Sequence, residues 1–262
     1  MKIIVLVKQV PDSTDVKIDP VTNTLKREGV SSVINPFDMY AIEEALRIKE
    51  RMGKGEVIVV SMGPPQAEDA LREAISMGCD KAILVSDRKF AGSDTWATSY
   101  TLSQAVRKIS DYKLVLCGKQ ASDGDTAQVG PGLSMHLDIP QVTYVKHVDK
   151  IDYDGARVHR MTVEGYDVVD VPFPAVLTVV KEINEPRLPS LRGKMKAKKA
   201  EIAIWSAGDL GCEDDKIGLD GSPTRVLKIF SPPERTGGQI IEGETREVSK
   251  KLADLVKEII IG

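Results

Sequence analysis

The sequence predicts an α/β fold: a doubly wound, mostly parallel sheet carrying an antiparallel extension and a C-terminal arm. Two observations carry this expectation. Over the first half of the chain, short apolar runs at residues 3–7, 57–60, 82–85 and 114–117 alternate with segments of helical periodicity, the pattern of parallel strands joined by crossover helices. After about residue 140 the alternation stops, and β-type runs flank Asp154-Gly155, a hairpin signal.

Residues 3–7 read as a first strand, because the N-terminus is too short for a secretory apolar region with its cleavage site. Asn35 offers an N-cap and Pro36 a first helical residue, where a missing N–H costs nothing. Phe37, Ala41, Ala45, Ile48 and Met52 then form one stripe, closed by Gly53. The run at 57–60 ends at Gly63-Pro64-Pro65 and leads into a second helix marked by Ala67, Ala70, Leu71, Ala74 and Ile75. Ser93 or Asp94 can cap a third helix carrying Leu102, Ala105, Val106 and Ile109, and residues 114–117 follow as the fourth strand.

Beyond it, 141–148, 157–163 and 166–171 read as the antiparallel extension and 175–180 as a fifth core run. Residues 184–199 contain Pro186, Pro189 and the cluster Lys194, Lys196, Lys198 and Lys199, and read as an exposed loop. The lysines suit a solvated face or a docking patch for an acidic partner. Residues 206–243 read as chain that follows the surface. Residues 246–261 read as an apolar-striped helix that docks on its own core or on a partner subunit. The expected division is a nucleotide-binding domain at 1–230 and an arm at 231–262.

A chain of 262 residues can bury a large core. A net charge of −3 and a pI near 5.8 give no basic field for nucleic acid. No run approaches the about 18 apolar residues of a membrane span. Cys79, Cys117 and Cys212 show no CxxC spacing, which implies neither a metal centre nor a disulfide framework and suits a cytoplasmic location.

No P-loop, no GxGxxG after the first strand, no GxSxG elbow and no HExxH helix occurs, and His136, His147 and His159 lack ligand spacing. What remains is residues 118–131, GKQASDGDTAQVGP, a turn between a strand and a helix. Gly118 permits close approach of backbone to a ligand. Ser122, Thr126 and Gln128 offer side-chain donors, and N–H groups at 126–129 meet a diphosphate if the helix starts near Asp125. Asp123 and Asp125 repel a phosphate unless one of them caps the helix or they hold a magnesium ion, with Lys119 as a compensating charge. The same residues also suit an ordinary capped helix start. Ligands of doubly wound sheets bind beyond the carboxyl ends of the strands, where strand order reverses. The ends of the first, second and fourth runs, Val7-Lys8, Ser61-Met62 and Gly118-Lys119, are therefore expected to converge.

Val5-Leu6-Val7-Lys8-Gln9-Val10, Asn35-Pro36-Phe37-Asp38, Gly118-Lys119-Gln120, Asn184-Glu185-Pro186-Arg187 and Met195-Lys196-Ala197-Lys198-Lys199, in that order over nearly the whole chain, resemble the β subunit of electron-transfer flavoprotein. The resemblance implies an adenine-nucleotide-binding fold of the HUP type and a heterodimer with an α subunit, which carries the electron-transferring FAD on a mobile domain. It implies a pocket at Leu6, Asn35, Pro36, Phe37, Asp38, Met62, Gly118, Lys119, Gln120, Ala121, Ser122, Asp123, Gly124, Asp125, Thr126, Ala127, Gln128 and Val129. In simple carriers that pocket holds structural AMP. In the electron-bifurcating branch it holds a second FAD, which accepts hydride from NADH.

The stretch from Asp123 to Pro131 looks like the bifurcating branch, because Gly124, Ala127 and Gly130 are small and leave room for the diphosphate and ribityl of FAD. On that reading no side chain is a catalytic acid or base. One electron goes to the α-subunit FAD and an acyl-CoA-dehydrogenase-like enzyme, the other to ferredoxin or flavodoxin. The resemblance further implies that the loop bearing Glu185, Arg187 and the apolar anchor Leu191 docks the dehydrogenase. It implies that the C-terminal arm embraces the mobile α domain, and that Ser13, near the other subunit's flavin, offers no aromatic stacking.

Overall fold

The computed structural model describes residues 1–12, 32–227, 238 and 240–261. Ser13 lies outside the described residues, as does part of the stretch 206–243. The described chain comprises, in order, β1 (Lys2–Leu6), β2 (Gln9–Pro11), β3 (Ser32–Ile34), α1 (Pro36–Arg51), β4 (Glu56–Met62), α2 (Glu68–Met77), β5 (Lys81–Val85), α3 (Thr95–Ile109), β6 (Leu114–Gly118), α4 (Val129–Leu137), β7 (Gln141–Ile151), β8 (Gly155–Met161), β9 (Tyr166–Pro172), β10 (Ala175–Val179), α5 (Leu191–Lys199), β11 (Ala203–Trp205), α6 (Ala207–Leu210) and α7 (Thr245–Ile261). It divides into two compact units, 1–227 and 228–262.

The first unit is built on a nine-stranded sheet in the order β11-β5-β4-β1-β6-β10-β7-β8-β9. From β11 through β7 the neighbours are parallel, while β8 and β9 run antiparallel. This is the expected doubly wound sheet with its extension. The fifth core run, β10, lies between β6 and β7 and so joins the two parts. The chain steps outward from β1 to β4 and β5 on one side and then returns to β6 on the other, so the strand order reverses between β1 and β6.

Alternation along the strands sorts the core into two layers. Ile3, Val5, Val57, Val59, Leu114 and Leu116 face Ile42, Leu46, Ile48, Leu71 and Ile75 of α1 and α2. Ile4, Ile58, Val60 and Val115 face Leu102, Ala105, Val106 and Leu133 of α3 and α4. With both faces covered, the strands read as unbroken apolar runs. The Asp154-Gly155 turn is held by Asp152 Oδ1, which accepts the N–H groups of Asp154 at 2.8 Å and Gly155 at 3.0 Å.

Two local expectations change. Residues 191–199 form a helix, α5, rather than loop: the Ser190 hydroxyl accepts the Gly193 N–H at 2.9 Å, and the Lys196 ammonium reaches the Cys79 carbonyl at 3.0 Å. The lysine cluster is thus helical. Within 206–227 the chain is more ordered than surface coil, with a capping box between Ser206 and Asp209 opening α6. The short edge strand β11 and the ribbon β2–β3 carry too few residues for a sequence period to show. In the second unit, α7 carries the expected apolar spacing at Val248, Leu252, Leu255, Val256 and Ile260.

Candidate functional site

The ends of β1, β4, β5 and β6 open into a cavity of about 980 Å³. Leu6, Val7 and Lys8 come from β1 and its exit, Val60 and Met62 from β4, residues 86–88, 90–95 and Thr98 from the exit of β5 and the start of α3, and Cys117, Gly118 and most of residues 119–130 from β6 and the turn beyond. The expected convergence of the first, second and fourth strand ends is present. The third strand end joins them, and its contribution, including Arg88 and Asp94, was missed because charged residues beyond a strand look like ordinary surface.

Of the residues implied by resemblance, Leu6, Asn35, Asp38, Met62, Gly118, Lys119, Gln120, Ala121, Asp123, Gly124, Thr126, Ala127, Gln128 and Val129 line the cavity. Pro36, Phe37, Ser122 and Asp125 are not among its lining residues. The Phe37 ring instead lies beneath the Lys119 ammonium, 5.0 Å from its centroid.

Asn35 and Asp38 act on the turn rather than on the helix they introduce. Asn35 makes no side-chain cap for α1. Its Nδ2 donates to the Gln120 carbonyl at 2.9 Å, and its Oδ1 accepts the Ser122 N–H at 3.0 Å. Asp38 accepts the Lys8 N–H at 2.8 Å through Oδ2 and the Gly118 N–H at 3.0 Å through Oδ1. Both side chains are buried. Burial lifts the Asp38 carboxyl from 3.8 to about 7, outweighing the hydrogen bonds from Lys8, Asn35 and Gly118 that favour the carboxylate.

The two puzzling aspartates have other occupations than capping. α4 begins at Val129 and has no side-chain cap. The Asp125 N–H folds back to the Ala121 carbonyl at 2.8 Å, which keeps both acids upstream of the helix. Asp123 accepts the Lys8 ammonium at 2.6 Å and Asp125 accepts the Gln120 amide. Among the described residues no group of three or more His, Cys, Asp or Glu is placed to hold a metal ion.

The turn itself is shaped for an anion. Ala127 takes a left-handed φ of 54° and Gln128 returns to the right-handed region at φ −103°, ψ −22°. Such an alternation turns successive N–H groups toward one point. The N–H groups of Thr126, Ala127 and Gln128 have no partner among the described residues, and that of Val129 is a free donor of the first helical turn. A second helix N-terminus lies alongside: Thr95 Oγ1 donates to Gln128 Oε1 at 2.9 Å, bringing α3 to the same wall. Asp94 caps α3 through the N–H groups of Trp96 at 2.9 Å and Ala97 at 3.1 Å, and its other oxygen accepts the Thr224 N–H and hydroxyl.

The small residues divide by role. A Cβ on Gly118 falls 2.5 Å from Phe37 Cβ and 2.6 Å from Asp38 Oδ1, and one on Gly130 falls 2.5 Å from Thr178 Cγ2. These two glycines serve packing against α1 and β10 while lining the cavity. At Gly124 a Cβ meets nothing within 4 Å.

The loop after β10 is anchored, and its apolar side chains are not. Arg187 Nε pairs with Glu43 at 2.7 Å and its Nη1 with Glu50 at 2.6 Å, and Arg47 donates to the Glu185 carbonyl at 3.1 Å. Leu188 and Leu191 are 89% and 78% exposed. Among the described residues no helix is long and apolar enough to cross a membrane.

A family model described as electron transfer flavoprotein domain matches residues 22–210. The electron transfer flavoprotein subunit beta of Megasphaera elsdenii is 48% identical over 267 residues, covering 100% of this chain and 98% of its own. The caffeyl-CoA reductase-Etf complex subunit CarD of Acetobacterium woodii is 50% identical over 259 residues, covering 98% of each chain. Protein FixA of Azorhizobium caulinodans is 44% identical over 266 residues, covering 98% of this chain and 94% of its own. A strand-end cavity with an anion-shaped turn, carried by a sequence that matches these proteins along its whole length, places the chain in the electron-transfer flavoprotein family as a β subunit.

Proposed function

We propose that this subunit binds FAD across its four strand ends, with the diphosphate on the turn at 126–129. The bound flavin would take hydride from NADH, releasing NAD⁺. It would then return to the oxidised state by losing a proton and two electrons, one to the α-subunit FAD and an acyl-CoA-dehydrogenase-like enzyme, the other to ferredoxin or flavodoxin. The protein's part is to bind and orient the flavin and to set the charge around it.

The observation that carries this reading is the row of N–H groups at 126–129 that have no partner among the described residues. It stands at one end of a cavity whose 980 Å³ is at the upper end of the range for small-molecule sites. The Acetobacterium woodii relative, named as part of a caffeyl-CoA reductase complex, supports an acyl-CoA-linked partner. In the same reading the protein is a cytoplasmic heterodimer with an α subunit. Exposed Leu191 enters the dehydrogenase while Arg187 and Glu185 hold its loop, and residues 231–262 form an arm that docks on the α subunit. The test is to purify both subunits together, denature them and count the released nucleotides. Two FAD per heterodimer supports the reading. One FAD with one AMP replaces it with a structural-AMP electron carrier that docks dehydrogenases.

A further inference from the structure

Among the described residues, seven charged side chains line the cavity: Lys8, Arg88, Lys119, Asp38, Asp87, Asp94 and Asp123. Six have work within the fold. Lys8 pairs with Asp123, Lys119 sits over the rings of Phe37 and Tyr144, and Asp38 and Asp94 are held by the backbone donors described above. Asp87 accepts the N–H groups of Lys89 and Ala207, each at 3.1 Å, and these bonds keep it below the usual carboxylate range. The guanidinium of Arg88 alone has neither a hydrogen bond nor an ion pair among the described residues. It stands at the exit of β5, a strand three spacings, or about 14 Å, from β6 in the sheet.

We propose that Arg88 is the anion receptor at the β5 end of the cavity, holding an electron-rich oxygen group of the ligand opposite the turn at 126–129. A ligand covering a guanidinium without supplying an acceptor incurs the full desolvation penalty of that charge; one that brings a carbonyl or phosphate oxygen gains a charge-assisted bond. This proposal rests on the flavin reading. Two sources share the required chemistry: the N1–C2 carbonyl edge of the flavin, most acceptor-rich when reduced, and a phosphate of the hydride-donating dinucleotide.

The test compares Arg88→Ala and Arg88→Lys in the purified heterodimer, with Lys89→Ala as a neighbouring charge loss outside the cavity. The nucleotide count of the wild type decides the flavin reading separately. If the flavin edge is the source, Arg88→Ala lowers the midpoint potential of the β-site flavin, leaves the KM for NADH in place, and is partly rescued by Arg88→Lys. If the dinucleotide phosphate is the source, the KM for NADH rises about tenfold with the flavin potential unmoved. Should the wild type hold AMP, the same variants are read by AMP retention through gel filtration. Arg88→Ala indistinguishable from wild type and from Lys89→Ala, in whichever of these readouts the bound nucleotide allows, overturns the proposal.

Discussion

Asp38 Oδ1 accepts the backbone N–H of Gly118 at 3.0 Å, across eighty positions of sequence. The bond fastens the first turn of α1 to the last residue of β6, at the point where the sheet changes direction. No side chain fits at 118, because a Cβ there falls 2.5 Å from Phe37 and 2.6 Å from the same carboxylate oxygen. Gly118→Ala is expected to destabilise the chain by about 1–3 kcal/mol, read as a lower urea midpoint at unchanged slope. It is also expected to weaken retention of the bound nucleotide.

Asp38 also makes stability depend on pH. Folded, it holds its proton up to about pH 7; unfolded, it releases it near 3.8. The folded chain therefore binds the extra proton between these values. The stability that this group contributes is complete below about pH 4 and is lost as pH rises through about 7. Denaturation of wild type and Asp38→Asn across that window should show the variant gaining relative to wild type as pH rises, then a constant difference. A constant difference throughout would mean that the carboxyl does not titrate there.

Gly124 and Gly130 should respond oppositely. Gly124 has open space where a side chain would go, so Gly124→Glu is expected to shift stability of the nucleotide-free subunit by no more than about 0.5 kcal/mol. The added carboxylate should crowd a bound diphosphate, and nucleotide content should fall. Gly130→Ala presses on Thr178 and Cys117 and is expected to cost about 1–3 kcal/mol even in the nucleotide-free subunit. If Gly124→Glu retains its nucleotide in full, the placement of the diphosphate is wrong.

Leu191 and Arg187 separate docking from support. Leu191→Ala removes an exposed side chain, so melting should not change, while electron transfer to the dehydrogenase falls about tenfold and NADH oxidation by an artificial dye continues. Arg187→Ala strips two ion pairs from α1 and leaves the buried Glu43 with Arg47 as its one ion-pair partner among the described residues. A loss of about 1–2 kcal/mol is expected, together with weaker dehydrogenase coupling. Equal loss of both activities in Leu191→Ala would reject its docking role.

The sheet was legible because parallel strands buried on both faces must be apolar throughout, and no other element competes for runs such as residues 3–7 and 114–117. The cavity and its anion-binding turn were legible in outline from the strand ends and the stretch 118–131, but the backbone geometry of the turn was not. The left-handed Ala127 carries no sequence signal, since alanine seldom adopts that conformation. Asn35 looked like a helix cap because its position fits one, yet its amide is engaged by the turn at 120–122, a tertiary choice that local sequence does not contain. The role of Asp123, left open between helix capping and a metal ion, was not legible for the same reason: its partner, Lys8, is 115 positions away. The helix at 191–199 was hidden by Gly193 and by the absence of an apolar period, and it is held by the Ser190 cap and by Arg72 of α2, which donates to the Ala197 carbonyl at 2.6 Å.

The cavity is walled by segments that lie far apart along the chain, near residues 6–8, 62–67, 86–98 and 117–130. A molecule gripping all of them closes several long loops at once, as a reversible cross-link does. Because it binds only the folded chain, each tenfold increase in its free concentration above its dissociation constant adds about 1.4 kcal/mol of stability. The abundance of the folded subunit in a cell thereby becomes coupled to the supply of its own nucleotide.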